Sequence, residues 1–367
     1  MNNNQTKFKE TEIGPIPEDW DAVRLEELVD FTNGKTSPAR FDSGKFPVYG
    51  ANGVIGFSEK TNSVKEAIIV GRVGAYCGSI YFSNNESWVT DNAIKGKAKA
   101  KTDPRFLYYL LNTLGLNERA GGSGQPLINQ SILNSIIVRR PSDVEQKQIA
   151  EILSSLDDKI ELNRQVNANL EKMASALFKR WFVDFEFPDE NGKPYKSSGG
   201  KMVDSELGPM PEGWKVGIID DLVAVGSGFA FNSNMFTKDG KYGLVTIKNV
   251  QDGYFINKCT DSIDDIPVRM PDYCKIKDGD ILLSLTGNVG RVCLVYGGKY
   301  LLNQRVAILI PRDVINKTFI YTLFRQFEFQ SRLVGISRGT AQQNLSPIET
   351  KSLEITVPEK SVLNSFG

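Results

Sequence analysis

Two homologous α/β (α+β) domains joined by one long helix are what this 367-residue sequence predicts. Three observations predict it: a phrase that occurs twice, a matching series of elements after each copy, and an unbroken helical stretch between the two series. Ile13-Gly14-Pro15-Ile16-Pro17-Glu18-Asp19-Trp20 returns as Leu207-Gly208-Pro209-Met210-Pro211-Glu212-Gly213-Trp214, with both prolines and the Trp in register. The separation far exceeds the ~20–50 residues of a solenoid repeat, so whole domains are duplicated. Gly-Pro-x-Pro also fixes an extended entry into a strand on its own; the matching elements after each copy make the repeat more than a turn.

After each entry come an apolar run, a glycine turn and a second apolar run. In the first copy these span 67–74 and 80–82; in the second they span 280–292 and 295–296. An Asn-bearing strand follows, Val89-Thr90-Asp91-Asn92-Ala93 against Leu302-Asn303-Gln304-Arg305-Val306. Apolar helical stretches at 106–114 and 319–327 come next. Each copy closes with a Gly/Ser/Gln/Asn loop and a strand ending in proline; Gln125 precedes Pro141 by sixteen residues, as Gln342 precedes Pro358.

Between the copies, residues 143–182 form the longest helical pattern. Ile149, Ile152, Leu153, Leu156, Ile160, Val166, Leu170, Met173, Leu177 and Trp181 fall mostly three or four apart. Ser142 and Glu145 read as a capping box that starts the helix, and no Gly or Pro interrupts it before Pro188. Forty residues give a rod of roughly 60 Å. One apolar stripe of that length needs a partner helix or a domain surface to cover it. Ile149, Leu153, Leu156, Ile160, Leu170 and Leu177, with the aromatic end Phe178, Trp181 and Phe182, are the candidate subunit-interface residues. The Gly-, Ser- and Pro-rich segment 191–200 reads as a linker. The expected domains are therefore 1–141, the helix 142–187, linker and second domain 188–358, and the start of another helix at 359–367.

Four scattered cysteines and no His argue against a disulfide framework or a zinc site and fit a reducing, cytoplasmic setting. No apolar run is long enough to span a membrane, and the polar N-terminus does not read as a signal peptide. Net charge is zero, but its distribution is uneven. Residues 1–140 carry 17 Lys and Arg against 15 Asp and Glu, residues 143–190 carry 6 against 11, and residues 191–367 carry 21 against 18. Mildly basic domains permit a nucleic-acid face without demanding one.

Motifs for catalysis fail on inspection. Asn33-Gly34-Lys35-Thr36 lacks the glycine that a phosphate loop needs at position 29, which is Val29. Gly226-Ser227-Gly228 lacks the third glycine of a dinucleotide fingerprint. Without His there is no Ser-His or Cys-His pair, and the Asp157-Asp158 and Asp264-Asp265 pairs diverge as surface charges. No catalytic or metal-binding residue is assigned.

Two kinds of stretch suit DNA. Lys95, Lys97, Lys99 and Lys101 alternate, so a strand would align them as a phosphate track, or as the lysines that keep an edge strand from aggregating. The loops 121–130 and 337–344 offer Gln, Asn and Arg for base edges: Gln and Asn match adenine, Arg matches guanine. The candidates in the first copy are Arg72, Asn92, Lys95, Lys97, Ser123, Gln125 and Asn129. Those in the second are Arg291, Asn303, Gln304, Arg305, Arg338, Thr340, Gln342, Gln343 and Asn344.

The order domain, long helix, domain resembles the specificity subunits of Type I restriction-modification systems. The entry at 13–20 and 207–214 and the Gly/Gln/Asn loops carry the resemblance. So does the helix, with Glu145-Gln146-Lys147-Gln148-Ile149-Ala150, Leu156-Asp157-Asp158-Lys159-Ile160-Glu161-Leu162-Asn163 and Leu177-Phe178-Lys179-Arg180-Trp181-Phe182. The resemblance implies two target recognition domains, each reading half of a split double-stranded DNA site. It implies an antiparallel coiled coil that sets the gap between half-sites and docks modification subunits, with restriction subunits joining through the complex. S-adenosylmethionine and ATP would belong to those partner subunits, and this chain would need no cofactor. The family has a second long helix after the second domain, which 359–367 only begins. The resemblance therefore implies a homodimer, a helix-completing partner chain, or a shortened, silent specificity gene product. The rival reading from another class is a scaffold that binds only proteins.

Overall fold

A computed structural model describes residues 7–121, 126–337 and 343–367. The chain divides into two compact units, 1–165 and 166–367.

In the first unit a short ribbon, β1 (Phe8–Lys9) with β2 (Ile16–Pro17), holds the entry phrase. Gly14 makes the turn with φ +86°, a conformation that only glycine adopts without strain. Next come β3 (Asp21–Arg24), the single turn α1 (Leu25–Leu28) and β4 (Val29–Asn33). The hairpin β5 (Phe46–Gly50) and β6 (Gly53–Ser58) precedes β7 (Ala67–Gly71) and β8 (Ile80–Ser83). Then follow β9 (Trp88–Val89), β10 (Ala93–Ala98), the helices α2 (Pro104–Asn112) and α3 (Gln130–Asn134), and β11 (Ile137–Arg140). The main sheet has the order β4-β10-β7-β8; a second has β6-β5-β9, with β5 and β9 parallel. The last strand, β11, returns to β3, Arg140 opposite Asp21 and Ile137 opposite Arg24. β7 is buried along its whole length (AIIVG), as a central strand covered on both faces must be. Its core joins Ile68, Val70 and Ile94 of the sheet to Leu107 and Leu111 of α2 and Leu133 of α3.

The long helix is α4 (Asp143–Phe178). The capping box forms: Ser142 N donates to Glu145 Oε2 at 3.0 Å, and Glu145 N donates to Ser142 Oγ at 3.3 Å. The indole of the entry Trp20 donates to Glu145 Oε1 at 3.3 Å, tying the entry phrase to the helix start. Gln146, fully buried, accepts from Asp103 N and donates to Pro141 O, and the Tyr109 hydroxyl donates to Asp157 at 2.7 Å. The apolar stripe beyond this point stays open: Ile152, Leu156, Ile160, Leu170 and Leu177 are all exposed, while Ile149 and Leu153 are half-buried.

The helix ends in a five-residue π turn, Lys179–Val183, in which Asp184 N reaches back to Lys179 O at 2.9 Å. One extra residue per turn rotates the side chains carried beyond it. Here Phe178, Trp181 and Phe182 enter the second unit's core, against Phe319, Trp214 and Phe366, with Phe182 at 4.8 Å from the rings of both Phe319 and Phe366. Burying each contributes about 1.5–3 kcal/mol. The aromatic end read as a docking patch is therefore an internal plug, because it can bury its rings on its own chain. Segment 191–200, read as a linker, is folded as well. Tyr195 stacks on Phe187 at 4.6 Å and donates to Lys201 O, and Asp189 Oδ1 accepts from Asn191 N and Lys193 N.

The second unit repeats the plan. The ribbon β12 (Met202–Val203) and β13 (Met210–Pro211) precedes β14 (Lys215–Ile218), α5 (Ile219–Leu222), β15 (Val223–Ser227) and β16 (Tyr242–Val245). Then come β17 (Ser262–Ile263), β18 (Lys275–Ile276), β19 (Ile281–Ser284), β20 (Val292–Leu294), β21 (Tyr300–Leu302) and β22 (Val306–Pro311). The helices α6 (Asn316–Phe324), α7 (Phe327–Ile336) and α8 (Pro347–Lys351) lead to β23 (Glu354–Val357) and α9 (Lys360–Phe366). The sheet order β15-β22-β19-β20 matches β4-β10-β7-β8, β16 runs parallel to β21, and β23 closes on β14. Within this unit Arg325, mostly buried, ties α6 to α4 by a two-pronged contact with Glu171 at 3.0 and 3.2 Å. Among the described residues no helix is long and apolar enough to cross a membrane.

Candidate nucleic-acid interface

The two units agree down to single hydrogen bonds. Gly34 N donates to Ala93 O and Lys35 N to Val89 O, each at 3.0 Å; Gly228 N donates to Val306 O at 3.0 Å and Phe229 N to Leu302 O at 2.8 Å. Thr90 N bonds Tyr49 O as Asn303 N bonds Val245 O. Ala93 N closes on Thr90 O at 3.0 Å and Val306 N on Asn303 O at 2.9 Å, making the same four-residue turn. Arg72 N donates to Asn92 O at 2.9 Å, and Leu285 N donates to Arg305 O at 3.0 Å. Ile128 N then bonds Arg72 O, and Leu345 N bonds Leu285 O. Bridges between Val73 and Leu127, and between Thr286 and Asn344, fasten the closing loops alongside.

Gly34 and Gly228 make this frame possible. A Cβ on Gly34 would meet Thr90 O at 1.9 Å, and one on Gly228 would meet Asn303 O at 2.2 Å. The two motifs that imitated phosphate and dinucleotide loops are thus one structural glycine, seen twice. The signal was available in sequence: each stands fourteen residues after its entry Trp.

On this frame the candidates sort by what their side chains already do. Asn92, Gln304 and Arg305 project from the turns, exposed, with no side-chain partner among the described residues, and Lys97 and Gln343 are likewise exposed and free. Lys95 is committed: its ammonium donates to Asn62 O, and burial, followed by the charge of Lys35, holds it below its ordinary pKa. Asn129 caps α3, accepting from Ile132 N at 2.9 Å, and Asn344 accepts from the Thr286 hydroxyl at 2.9 Å. Asn303 is half-buried in the turn. Arg72 is half-buried with its Nε inside and unpartnered. Arg291 grips Gln251, with Asn288 3.2 and 3.3 Å from its terminal nitrogens. Sequence reasoning missed Gln251, because nothing in the chain pattern joins it to a residue forty positions away. Ser123, Gln125, Arg338, Thr340 and Gln342 lie outside the described residues.

Two expectations need correction. The lysines do not form one strand face: β10 ends at Ala98, Lys99 turns to Glu26 O and Asp30, and Lys101 sits beyond at φ +67°. Nor is β10 an edge, since β4 and β7 flank it. Arg72 and Arg291 occupy different places in the two frames. Ser284 N bonds Arg291 O as Gly71 N bonds Ser79 O, so Arg291 takes the place of Ser79 and Leu285 that of Arg72.

The Type I restriction modification DNA specificity domain matches the chain twice, at residues 17–172 and 211–362. The Type I restriction enzyme MjaIX specificity subunit of Methanocaldococcus jannaschii is 26% identical over 393 residues, covering 99% of this chain and 88% of its own. The HindI specificity subunit of Haemophilus influenzae is 26% identical over 320 residues, covering 72% of this chain and 69% of its own. The solved S subunit of a Type I restriction-modification system from M. genitalium shares the fold, with a TM-score of 0.59 at 15% identity over 99% of this chain and 88% of that one. With two matched domains on two equivalent hydrogen-bond frames, the chain belongs to the Type I restriction-modification DNA specificity family.

Proposed function

We propose that this chain reads a two-part duplex DNA target and directs adenine methylation, and cleavage of unmodified DNA, by partner modification and restriction subunits that hold S-adenosylmethionine and ATP. The observation that carries the reading is the repetition of one rigid backbone frame with different exposed polar side chains on each copy. A reader of two half-sites needs that combination: a constant scaffold positions the side chains, and variable edges specify bases. The exposed stripe from Ile152 to Leu177 supports a helix-forming partner along α4, either a modification subunit or a second copy of the chain.

Mapping methylated adenines in host DNA with the gene present and deleted tests the reading. Loss of one bipartite motif on deletion is the expected result. An unchanged methylation pattern would contradict an active specificity subunit.

A further inference from the structure

We infer that Asn92 and Arg305 are one and the same reading position on the two copies of the scaffold, and that they give the two half-sites different bases there: adenine opposite Asn92 and guanine opposite Arg305. The inference deepens the DNA-reading function and rests on it.

Equivalence follows from bonds rather than from sequence likeness. Each residue is third in a four-residue turn, Thr90 to Ala93 or Asn303 to Val306. Each gives its carbonyl to the amide that follows the central strand, Arg72 N or Leu285 N, at 2.9 and 3.0 Å. Each turn is clamped from below by a glycine whose Cβ would strike it. The backbone is therefore fixed on both sides while the side chain is left over. Both side chains are exposed, and neither has a partner among the described residues.

Readout of a base edge requires that condition. A group already satisfied within the protein has to break a bond to reach DNA, as Arg291 with Gln251 or Asn344 with Thr286 would. A free amide or guanidinium on a rigid turn gives up little on binding. The asparagine amide matches the N6 and N7 edge of adenine, and the guanidinium fork matches O6 and N7 of guanine. The neighbouring positions also differ, Asp91 against Gln304, so the turn varies in its edges while its frame does not.

The test is selection of bound duplexes from a randomised library by the full-length chain, wild type against Asn92→Ala, Arg305→Ala and Arg305→Lys. Neither position carries side-chain packing, so the variants keep the fold; circular dichroism checks this. Wild type should enrich a two-part motif. Asn92→Ala should lose about 5- to 150-fold of its preference at one A·T pair in one half. Arg305→Ala should lose as much at one G·C pair in the other half. Arg305→Lys should keep overall affinity and only part of that guanine preference, because an ammonium still reaches O6 and N7 but the planar fork is gone.

A wild-type motif that no variant alters overturns the inference and leaves the DNA-reading function standing. So does relaxation of the same half by both alanine variants. Uniform weakening by Arg305→Ala on every sequence, with a flatter salt dependence, would make Arg305 a phosphate contact and also overturn it. Failure of wild type to enrich any motif overturns the function itself.

Discussion

Replacing Gly228 by alanine should open the second unit's reading turn, and the geometry sets the scale. The new Cβ would lie 2.2 Å from Asn303 O, 2.4 Å from Asn303 C and 2.8 Å from Leu302 O. All three are backbone atoms, so no side chain can rotate away. Real Cβ atoms keep at least 3.0 Å, so the turn must retreat by about 0.8 Å. The bonds Gly228 N to Val306 O at 3.0 Å and Phe229 N to Leu302 O at 2.8 Å then pass beyond useful reach. Two net hydrogen bonds at about 0.5–1.5 kcal/mol each, with an overpacking cost of about 1–3 kcal/mol, put the loss near 4 kcal/mol. For a unit of this size that lowers Tm by about 8–16 °C. Calorimetry of the full chain reads it, with Gly335→Ala as control: that helical glycine has nothing within 4 Å of a Cβ, so its change should be neutral or slightly stabilising. A Gly228→Ala protein that melts with wild type would refute the clamp.

Lys97→Ala should weaken binding to all duplexes alike and reduce the salt slope by about 1, measured by titration at several salt concentrations; an unaltered slope removes Lys97 from the phosphate track. Bonds from Ser142, first its hydroxyl and then its amide, hold the Glu145 carboxyl below the usual range. Its stabilisation is therefore complete above the unfolded carboxylate pKa and is lost as pH falls through the lower folded value. Glu145→Gln should flatten the acid limb of Tm against pH, and an unchanged limb would show that the cap carries no linkage. Burial pushes the Cys293 thiol up to about 12 and the Cys259 thiol up to about 11. Cys293 is fully buried and should label with a thiol reagent only after denaturation, whereas half-buried Cys259, about a thousandth thiolate at pH 8, should label slowly in the native state; rapid native labelling of Cys293 would contradict the packing. Glu171→Gln should cost about 1 kcal/mol in urea denaturation, since Glu171 is half exposed and screened although Arg325 is not; no change would mean that Asp252 and Tyr321 suffice for Arg325.

Sequence reading succeeded where local chemistry and spacing determine structure. The pairing of 89–93 with 302–306 holds residue for residue, because a four-residue turn followed by a central strand leaves no room for an insertion. The helix start was legible from Ser142 and Glu145 because a capping box is a local bond pair. Reading failed where a partner lies far along the chain. Trp181 and Phe182 looked like a surface patch because the π turn that redirects them has no sequence signature, and their cover comes from Phe319 and Phe366. The 191–200 segment looked like a linker on composition alone, yet Tyr195 stacks on Phe187, which is held in turn by the distant Trp214.

The strand that closes each unit constrains how the chain can fold. β11 pairs with β3 and β23 with β14, so in each unit the strand that follows the entry ribbon and the last strand are neighbours across more than a hundred intervening residues. Contacts of such long sequence separation form late and slowly. On the ribosome, β3 must wait for Ile137 to Arg140 to emerge before the first unit can shut, and α4 comes directly behind as the segment that locks Trp20 in place. A nascent chain arrested before residue 137 would present β3 as a bare edge, the state in which strand exchange and aggregation begin.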